Sequence, residues 1–260
     1  MKFLILCDMD GTLLNNNEEI SEFTTNYIKN LAKEHYFCLI SSSSYQRMLP
    51  VYNALELNTH IACKNGGLII NPNTNEKFVH AINKDDILVY FNEVKEKITS
   101  MFYKCEGDAY CYNFDPKYKV VMNIPSNIKI NNGNYNDMNL SNSTNLYIIC
   151  PVENDTFIEE YFSSKNLSVD CMGKDKKIAI YVITHLKALK HEALNFFKEN
   201  YKFDKVISFG DSTRDLEMLK NSDIAYLMKN SSIKNSNIPL TDYSNKEDGV
   251  AKQLKKIIDQ

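Results

Sequence analysis

The chain has 260 residues, 43% of them hydrophobic and 24% charged, and its 30 basic and 33 acidic side chains leave a net charge of −3. This is the composition of a folded globular protein long enough for one large domain or a core with an insertion, and it excludes a disordered chain. The near-neutral balance argues against nucleic-acid and membrane-surface partners, and no run approaches the roughly 18 apolar residues of a membrane span.

The chain opens on an apolar run, Phe3 to Cys7, followed by Asp8-Met9-Asp10-Gly11-Thr12. The run is too short for a signal-peptide core and reads as a buried strand that ends in a turn. Alternate residues share a face of a strand, so Asp8 and Asp10 can aim at one spot at its C-terminal end, where open α/β sheets bind ligands. Two like charges held there imply a cation or a proton-transfer role. Ile20 to Ala32 repeats at helical spacing with Ser21 as N-cap, and Phe37 to Ile40 is a second strand that runs into Ser41-Ser42-Ser43-Ser44. Met48 to Leu57 reads as a helix, His60 to Cys63 as a third strand ahead of Lys64-Asn65-Gly66-Gly67, and Leu68 to Ile82 as a hairpin turning at Asn71-Pro72-Asn73. Strand and helix alternating at this pace imply a doubly wound parallel sheet.

From residue 83 to 184 the texture changes. Ile87 to Ile98 suggests a helix, and strands are expected at Tyr110 to Asn113, Lys119 to Asn123, Leu146 to Cys150 and Lys177 to Ile183, with a helix at Thr156 to Ser164. That is an α+β insertion of roughly 100 residues, an ordinary domain size. Its Asn-rich stretch, Asn131 to Asn145, reads as a flexible loop without chemistry. Tyr103, Tyr110, Tyr112 and Tyr118 read as packing residues rather than a platform for stacking bases. The alternating pattern returns with a helix at Lys190 to Glu199, a strand at Lys205 to Phe209, a helix at Asp215 to Lys220, a strand at Ile224 to Leu227 and a closing helix around Val250 to Ile258. The reading is an α/β core of residues 1–82 and 185–260 split by an inserted unit of residues 83–184.

Strand ends in a parallel sheet lie together, so Asp8 and Asp10, the serine run, Lys190, Asp211 and Asp215 can share one pocket. Seven cysteines (Cys7, Cys38, Cys63, Cys105, Cys111, Cys150 and Cys171) form no CxxC pair, which points to a reduced, cytoplasmic protein without a zinc site or disulfide framework. The five histidines share no ligand spacing.

These motifs resemble the haloacid dehalogenase (HAD) superfamily over the whole chain. Asp8-Met9-Asp10-Gly11-Thr12 is similar to its DxDGT, Ile40-Ser41-Ser42 to its second motif, and Lys190-His191-Glu192-Ala193-Leu194 to the KGxAL of Cof-type sugar phosphatases. Gly210-Asp211-Ser212-Thr213-Arg214-Asp215 resembles GDxxND, Lys64 to Gly67 resembles ENGA, Met228 to Ser231 resembles MGNA, and Glu247 to Val250 resembles EDGV. The resemblance implies a Rossmann-like HAD core with a type IIB cap inserted in it. It implies hydrolysis of a small phosphorylated metabolite, a sugar phosphate, through an aspartyl phosphate. Asp8 would be the nucleophile and Asp10 the acid and base. Ser42 and Lys190 would hold phosphate oxygens, with Ser41 or Ser43 able to replace Ser42 and Lys187 competing with Lys190. Asp8, the Asp10 carbonyl and Asp211 would hold Mg²⁺, with Asp215 direct or in support. A cation is required because phosphate and an anionic nucleophile repel by roughly 4 kcal/mol per charge pair at about 4 Å in an effective dielectric near 20. Ser43, Asn65, Gly66, Arg214 and Asn230 would support the site or face the substrate, and Asp248 is open between support and a plain turn.

Two departures stand out. Ser43-Ser44 replaces a Gly-Arg, removing an expected substrate-facing arginine, and Arg214 replaces the Asn of GDxxND, where it could pair with Asp215 or restore positive charge near the phosphate. A phosphomannomutase-type enzyme and a non-catalytic HAD-fold binding protein are the competing readings. The short Asp211 to Asp215 segment disfavours the first, and retention of both Asp8 and Asp10 disfavours the second.

Overall fold

A computed structural model describes residues 1–105, 108–118 and 128–259. The strand expected at Lys119 to Asn123 lies outside the described residues.

The chain begins β1 (Phe3–Asp8), α1 (Glu22–Leu31), β2 (Tyr36–Ile40), α2 (Tyr45–Ala54), β3 (Ile61–Cys63), β4 (Leu68–Ile70) and β5 (Lys77–Val79). It continues through α3 (Lys84–Val94), β6 (Ser100–Cys105), β7 (Asp108–Tyr112), β8 (Lys129–Asn132), β9 (Asn145–Pro151), α4 (Asp155–Ser163), β10 (Leu167–Lys174) and β11 (Ile178–His185). It ends with α5 (Lys190–Asn200), β12 (Lys205–Gly210), α6 (Leu216–Lys220), β13 (Ile224–Leu227) and α7 (Gly249–Ile258). These elements fall into two compact units, Met1–Val79 with Lys187–Gln260, and His80–Leu186.

The first unit is built on a seven-stranded sheet of order β13-β12-β1-β2-β3-β4-β5. Its strands from β13 to β3 are parallel, and an antiparallel β4–β5 hairpin extends it at the β3 side. Both faces of β1 are covered. Phe3, Ile5 and Cys7 pack with Ile28 of α1, Met48 and Tyr52 of α2, and Val250 and Leu254 of α7. Leu4 and Leu6 pack with Ala193, Leu194 and Phe197 of α5 and with Met218 and Leu219 of α6. Burial on both faces is why β1 reads as an unbroken apolar run rather than an alternating one, and each such side chain contributes about 1.5–3 kcal/mol. The chain winds outward from β1 in one direction through β2 and β3 and, after the insertion, in the other through β12 and β13. The β1/β12 border is therefore the switch point, where doubly wound sheets open a crevice at the strand C-termini. The register pairs Cys7 with Phe209 and so sets Asp8 beside Gly210.

Helix starts follow local chemistry. Ser21 caps α1 by accepting from the Thr24 N–H at 3.0 Å. The segment ahead of α6 is a short 3₁₀ turn, Thr213–Asp215, closed by a capping box of Ser212 and Asp215.

The second unit is a six-stranded sheet of order β10-β11-β9-β6-β7-β8, antiparallel except between β7 and β8. Ile87, Phe91 and Val94 of α3 and Ile158 and Phe162 of α4 cover the face that carries Met101, Tyr103, Ile148 and Tyr181. Phe102, Ala109, Cys111 and Ile149 form a smaller cluster on the other face. The Asn-rich stretch corrects the expectation of a flexible loop. It supplies the end of β8 and a 3₁₀ turn at Tyr135–Asp137, in which the Asn134 side chain accepts from the Asn136 N–H at 3.0 Å. Tyr135 is fully buried, its hydroxyl 3.0 Å from the carbonyls of Met101 and Tyr110. Asparagine here acts as turn chemistry around one aromatic anchor.

Candidate active site

Asp8 ends β1 and keeps the parity of Leu4 and Leu6, so its carboxylate points to the α5 side of the sheet. Lys190, the first residue of α5, meets it there, with Nζ 2.7 Å from Asp8 Oδ1 and 2.5 Å from Asp215 Oδ1. The lysine is only 4% exposed. A buried cation at a helix N-terminus is opposed both by desolvation and by the helix dipole, so the carboxylates must hold it. Burial works to lower the Lys190 pKa, but the charges and hydrogen bonds of Asp8 and Asp215 outweigh it and hold the pKa above its ordinary value. Burial pushes Asp8 above the usual carboxylate range; the Lys190 charge opposes this, and Asp215 adds to it. Asp211 is raised by burial as well, against the pull of its hydrogen bond from Thr12.

Asp211 follows β12, and Thr12 Oγ donates to its Oδ1 at 2.9 Å across the strand border. The Ser231 hydroxyl holds the Asp211 carbonyl at 2.6 Å. Asp215 is fully buried; its Oδ2 accepts from the N–H of Asp211 at 3.1 Å and from the N–H and hydroxyl of Ser212 at 2.9 and 2.7 Å. Two glycines permit this density. Gly11 has φ +77°, and a Cβ there would lie 2.6 Å from Asp211 Oδ2; a Cβ at Gly210 would lie 2.4 Å from that of Asp215.

Asp8, Asp211 and Asp215 each offer an oxygen within 4.8 Å of the others. Three carboxylates facing one ammonium leave two negative charges, and each like pair at that spacing repels by roughly 3 to 4 kcal/mol at an effective dielectric near 20. All donors are hard oxygens, the set that Mg²⁺ prefers. The donor chemistry and the charge excess therefore fit a divalent cation. Asp8 and Asp211 are the better placed to hold it, because both Asp215 oxygens already accept hydrogen bonds.

Asp10 lies beyond the end of β1, and its carboxylate has different partners. Oδ2 accepts from the Ser43 hydroxyl at 2.9 Å and lies 3.5 Å from that of Ser41, while Oδ1 accepts from Arg47 Nη2 at 2.6 Å. Ser42 is exposed, whereas Ser41 and Ser43 are buried. Asn65 and Gly66 sit in a tight turn that braces this loop: the N–H of Lys64 donates to the Ser43 carbonyl at 2.9 Å and that of Asn65 to the Ser41 carbonyl at 2.8 Å. Asn230 ties two loops, donating to the Gly11 carbonyl at 2.8 Å and accepting from the Asn245 N–H at 2.9 Å. Asp248 accepts from the hydroxyls of Ser21 and Thr24 and starts α7. Lys187 and Arg214 are exposed. Arg47 lies in none of the sequence motifs, and Thr12 and Ser231 close two of them, Asp8 to Thr12 and Met228 to Ser231, which imply no side-chain role for either; a polar residue one turn into the helix after a strand is the signal that points to Arg47.

A buried carboxylate beside a buried lysine and an acidic cluster, at the switch point of a parallel sheet, is an arrangement suited to phosphoryl-group chemistry. The chain belongs to the haloacid dehalogenase-like hydrolase family, whose model matches residues 5–254. It is 26% identical over 263 residues to the 5-amino-6-(5-phospho-D-ribitylamino)uracil phosphatase YitU of Bacillus subtilis, an alignment covering 97% of this chain and 96% of that protein. Its fold is similar to that of a HAD-superfamily phosphatase from Bacteroides thetaiotaomicron, with a TM-score of 0.79 and 17% identity over 98% of this chain and 95% of that one. A HAD subclass IIB sugar phosphatase matches with a TM-score of 0.72 and 15% identity over 99% of both chains. The protein is accordingly a phosphatase with a HAD core and an inserted α+β unit.

Proposed function

We propose that this phosphatase hydrolyses a phosphomonoester of a small polyhydroxylated metabolite, a sugar phosphate or a related polyol phosphate, through an aspartyl phosphate on Asp8 with Mg²⁺ as cofactor. The observation that carries the reading is the pairing of a buried Asp8 with Lys190 inside the Asp8–Asp211–Asp215 cluster. The named relative acts on a phosphorylated ribityl compound, which presents the same kind of ester, a phosphate on a hydroxylated carbon chain. Seven free cysteines among the described residues support a reducing, cytoplasmic setting. The inserted unit is read as the cap.

In the first step an Asp8 carboxylate oxygen bonds to phosphorus while the bond to the ester oxygen breaks. Asp10 in its acid form gives its proton to that oxygen, so the alcohol leaves neutral. In the second step Asp10, now a carboxylate, takes a proton from water as the water oxygen bonds to phosphorus and the Asp8–phosphorus bond breaks. Lys190 offsets the charge of Asp8 and of incoming phosphate oxygens, and the exposed Ser42 hydroxyl is the remaining phosphate donor. Asp8, the Asp10 carbonyl and Asp211 would hold Mg²⁺ with Asp215 supporting them; the ion would neutralise phosphate charge and so let an anionic nucleophile approach.

The test is phosphate release from ribose 5-phosphate, glucose 6-phosphate, nucleotides and p-nitrophenyl phosphate, with Mg²⁺ and with EDTA, beside Asp8→Asn. Release that needs Mg²⁺ and disappears in the variant is expected. Appreciable turnover by Asp8→Asn would sink the nucleophile assignment.

A further inference from the structure

Asp10 is held by an ion pair that no sequence motif announced. Arg47, in the first turn of α2, places Nη2 2.6 Å from Asp10 Oδ1 and 3.0 Å from Glu18 Oε1. With Ser43 on Oδ2 at 2.9 Å, the Asp10 carboxylate is fixed through both oxygens by residues of the loop and helix that follow β2.

Helix stability does not explain Arg47. A cation in a first turn opposes the helix dipole, and α2 has neither a side-chain cap nor an acidic first-turn residue to offset it. Ion-pair strength does not explain it either. The two partners are 38% and 37% exposed, and pairs that open to water add little to folding. The geometry instead suits orientation. Asp10 lies off the strand, where an aspartate side chain has rotamers to choose from. A two-point hold on both oxygens removes that choice, and Glu18 fixes the arginine that supplies one of the points.

We propose that Arg47 is a positioning residue for Asp10. It fixes the carboxyl that breaks its own O–H bond to protonate the departing ester oxygen as the phosphorus–oxygen bond breaks. This rests on the reading of Asp8 and Asp10 given above. A misplaced acid hurts most where the leaving oxygen is most basic, because p-nitrophenolate can leave without a proton whereas a sugar alkoxide cannot.

The test measures kcat/KM of the full chain with Mg²⁺ on p-nitrophenyl phosphate, phenyl phosphate and ribose 5-phosphate. This quantity reports only the steps up to release of the alcohol, so the later attack of water does not enter. Arg47→Ala is expected to lose about tenfold to a hundredfold on ribose 5-phosphate, less on phenyl phosphate, and no more than about threefold on p-nitrophenyl phosphate. Arg47→Lys, which keeps the charge without the planar fork, should recover part of the loss. A merely structural role would lower all three esters together, and that result, or no loss on any, overturns the proposal. Asp8→Asn separates the two readings by losing all three equally. A wild type that hydrolyses none of them overturns the parent reading and this one with it.

Discussion

Asp8 and Lys190 are each unfavourable alone and tolerable together. Removing Lys190 leaves the buried Asp8 and Asp215 without their counter-ion, at a cost of about 3–5 kcal/mol, whereas removing Asp8 still leaves Lys190 paired with Asp215. The raised pKa of Asp8 has a direct consequence for the metal-free protein. A carboxyl with a folded pKa above its unfolded value, about 4, binds more protons when folded. Its contribution to stability is full below that value and is lost as pH rises through the folded pKa. In EDTA, the melting temperature of the wild type should therefore fall relative to that of Asp8→Asn as pH climbs from about 4 to 8. Saturating Mg²⁺ should reverse the trend in the wild type, adding about 2.7 kcal/mol at a hundredfold excess over Kd, and should do far less in the variant. Thermal melts across pH with and without Mg²⁺ check this; parallel curves for both proteins would mean that Asp8 neither titrates nor holds metal as argued. At this scale the sequence singled out Asp8, Lys190 and Asp211, which the structure brings together. It was silent on Arg47, because a lone arginine in a helix looks like any solvated charge until its partner is known. Within the serine run, only the fold separates the buried Ser41 and Ser43, which face Asp10, from the exposed Ser42.

The elements that carry the site are short and tightly joined. The turn after β12 is the strictest: Asp211, Ser212 and Asp215 close on themselves through the capping box, and Gly210 leaves no room for a side chain. Gly210→Ala would drive a methyl against the Asp215 Cβ and Cγ, 2.4 and 2.5 Å away, so backbone must move. The expected cost is about 1–3 kcal/mol, with a larger loss of kcat because the moved residue is the one that orients Lys190. Melts and kinetics of the variant read both; an unchanged melt would mean that the turn relaxes freely. Core elements were legible because their helices repeat with a clear period, and α1 also begins at a readable cap, Ser21. Three strands of the inserted unit, β6, β8 and β10, were not. β8 is four residues long and ends in Asn131-Asn132, which read as loop residues. Residues of β6 are buried on both faces, so its sequence, Ser100-Met101-Phe102-Tyr103, has no two-residue alternation to detect. The outer strand β10 is largely exposed and carries a bulge between Cys171 and Gly173, so it is polar and irregular.

At the scale of the whole molecule, the core is assembled from two distant segments while the insertion is one continuous stretch. Pairing of β1 with β12 brings Thr12 onto Asp211 across 199 residues of sequence, so the site cannot form until both segments have met. The change of texture at residue 83 betrayed the insertion, but its place relative to the strands could be read only because the alternating pattern resumes afterwards. His80–Leu186 contains every strand of its own sheet, both helices that cover one face, and the cluster on the other. The two ends of this stretch also lie together: the rings of His80 and His185 stack with centroids 5.9 Å apart, and Ile82 bridges to Ser143. Adjacent termini and a self-contained core are the conditions under which an inserted unit folds alone. The isolated segment 80–186 is therefore expected to unfold in one cooperative transition and to show near-ultraviolet circular dichroism from its packed tyrosines, with no phosphatase activity. A broad, non-cooperative melt without that signal would mean that the insertion draws its stability from the core, because a sheet with a complete set of partners would then still fail to hold its packing.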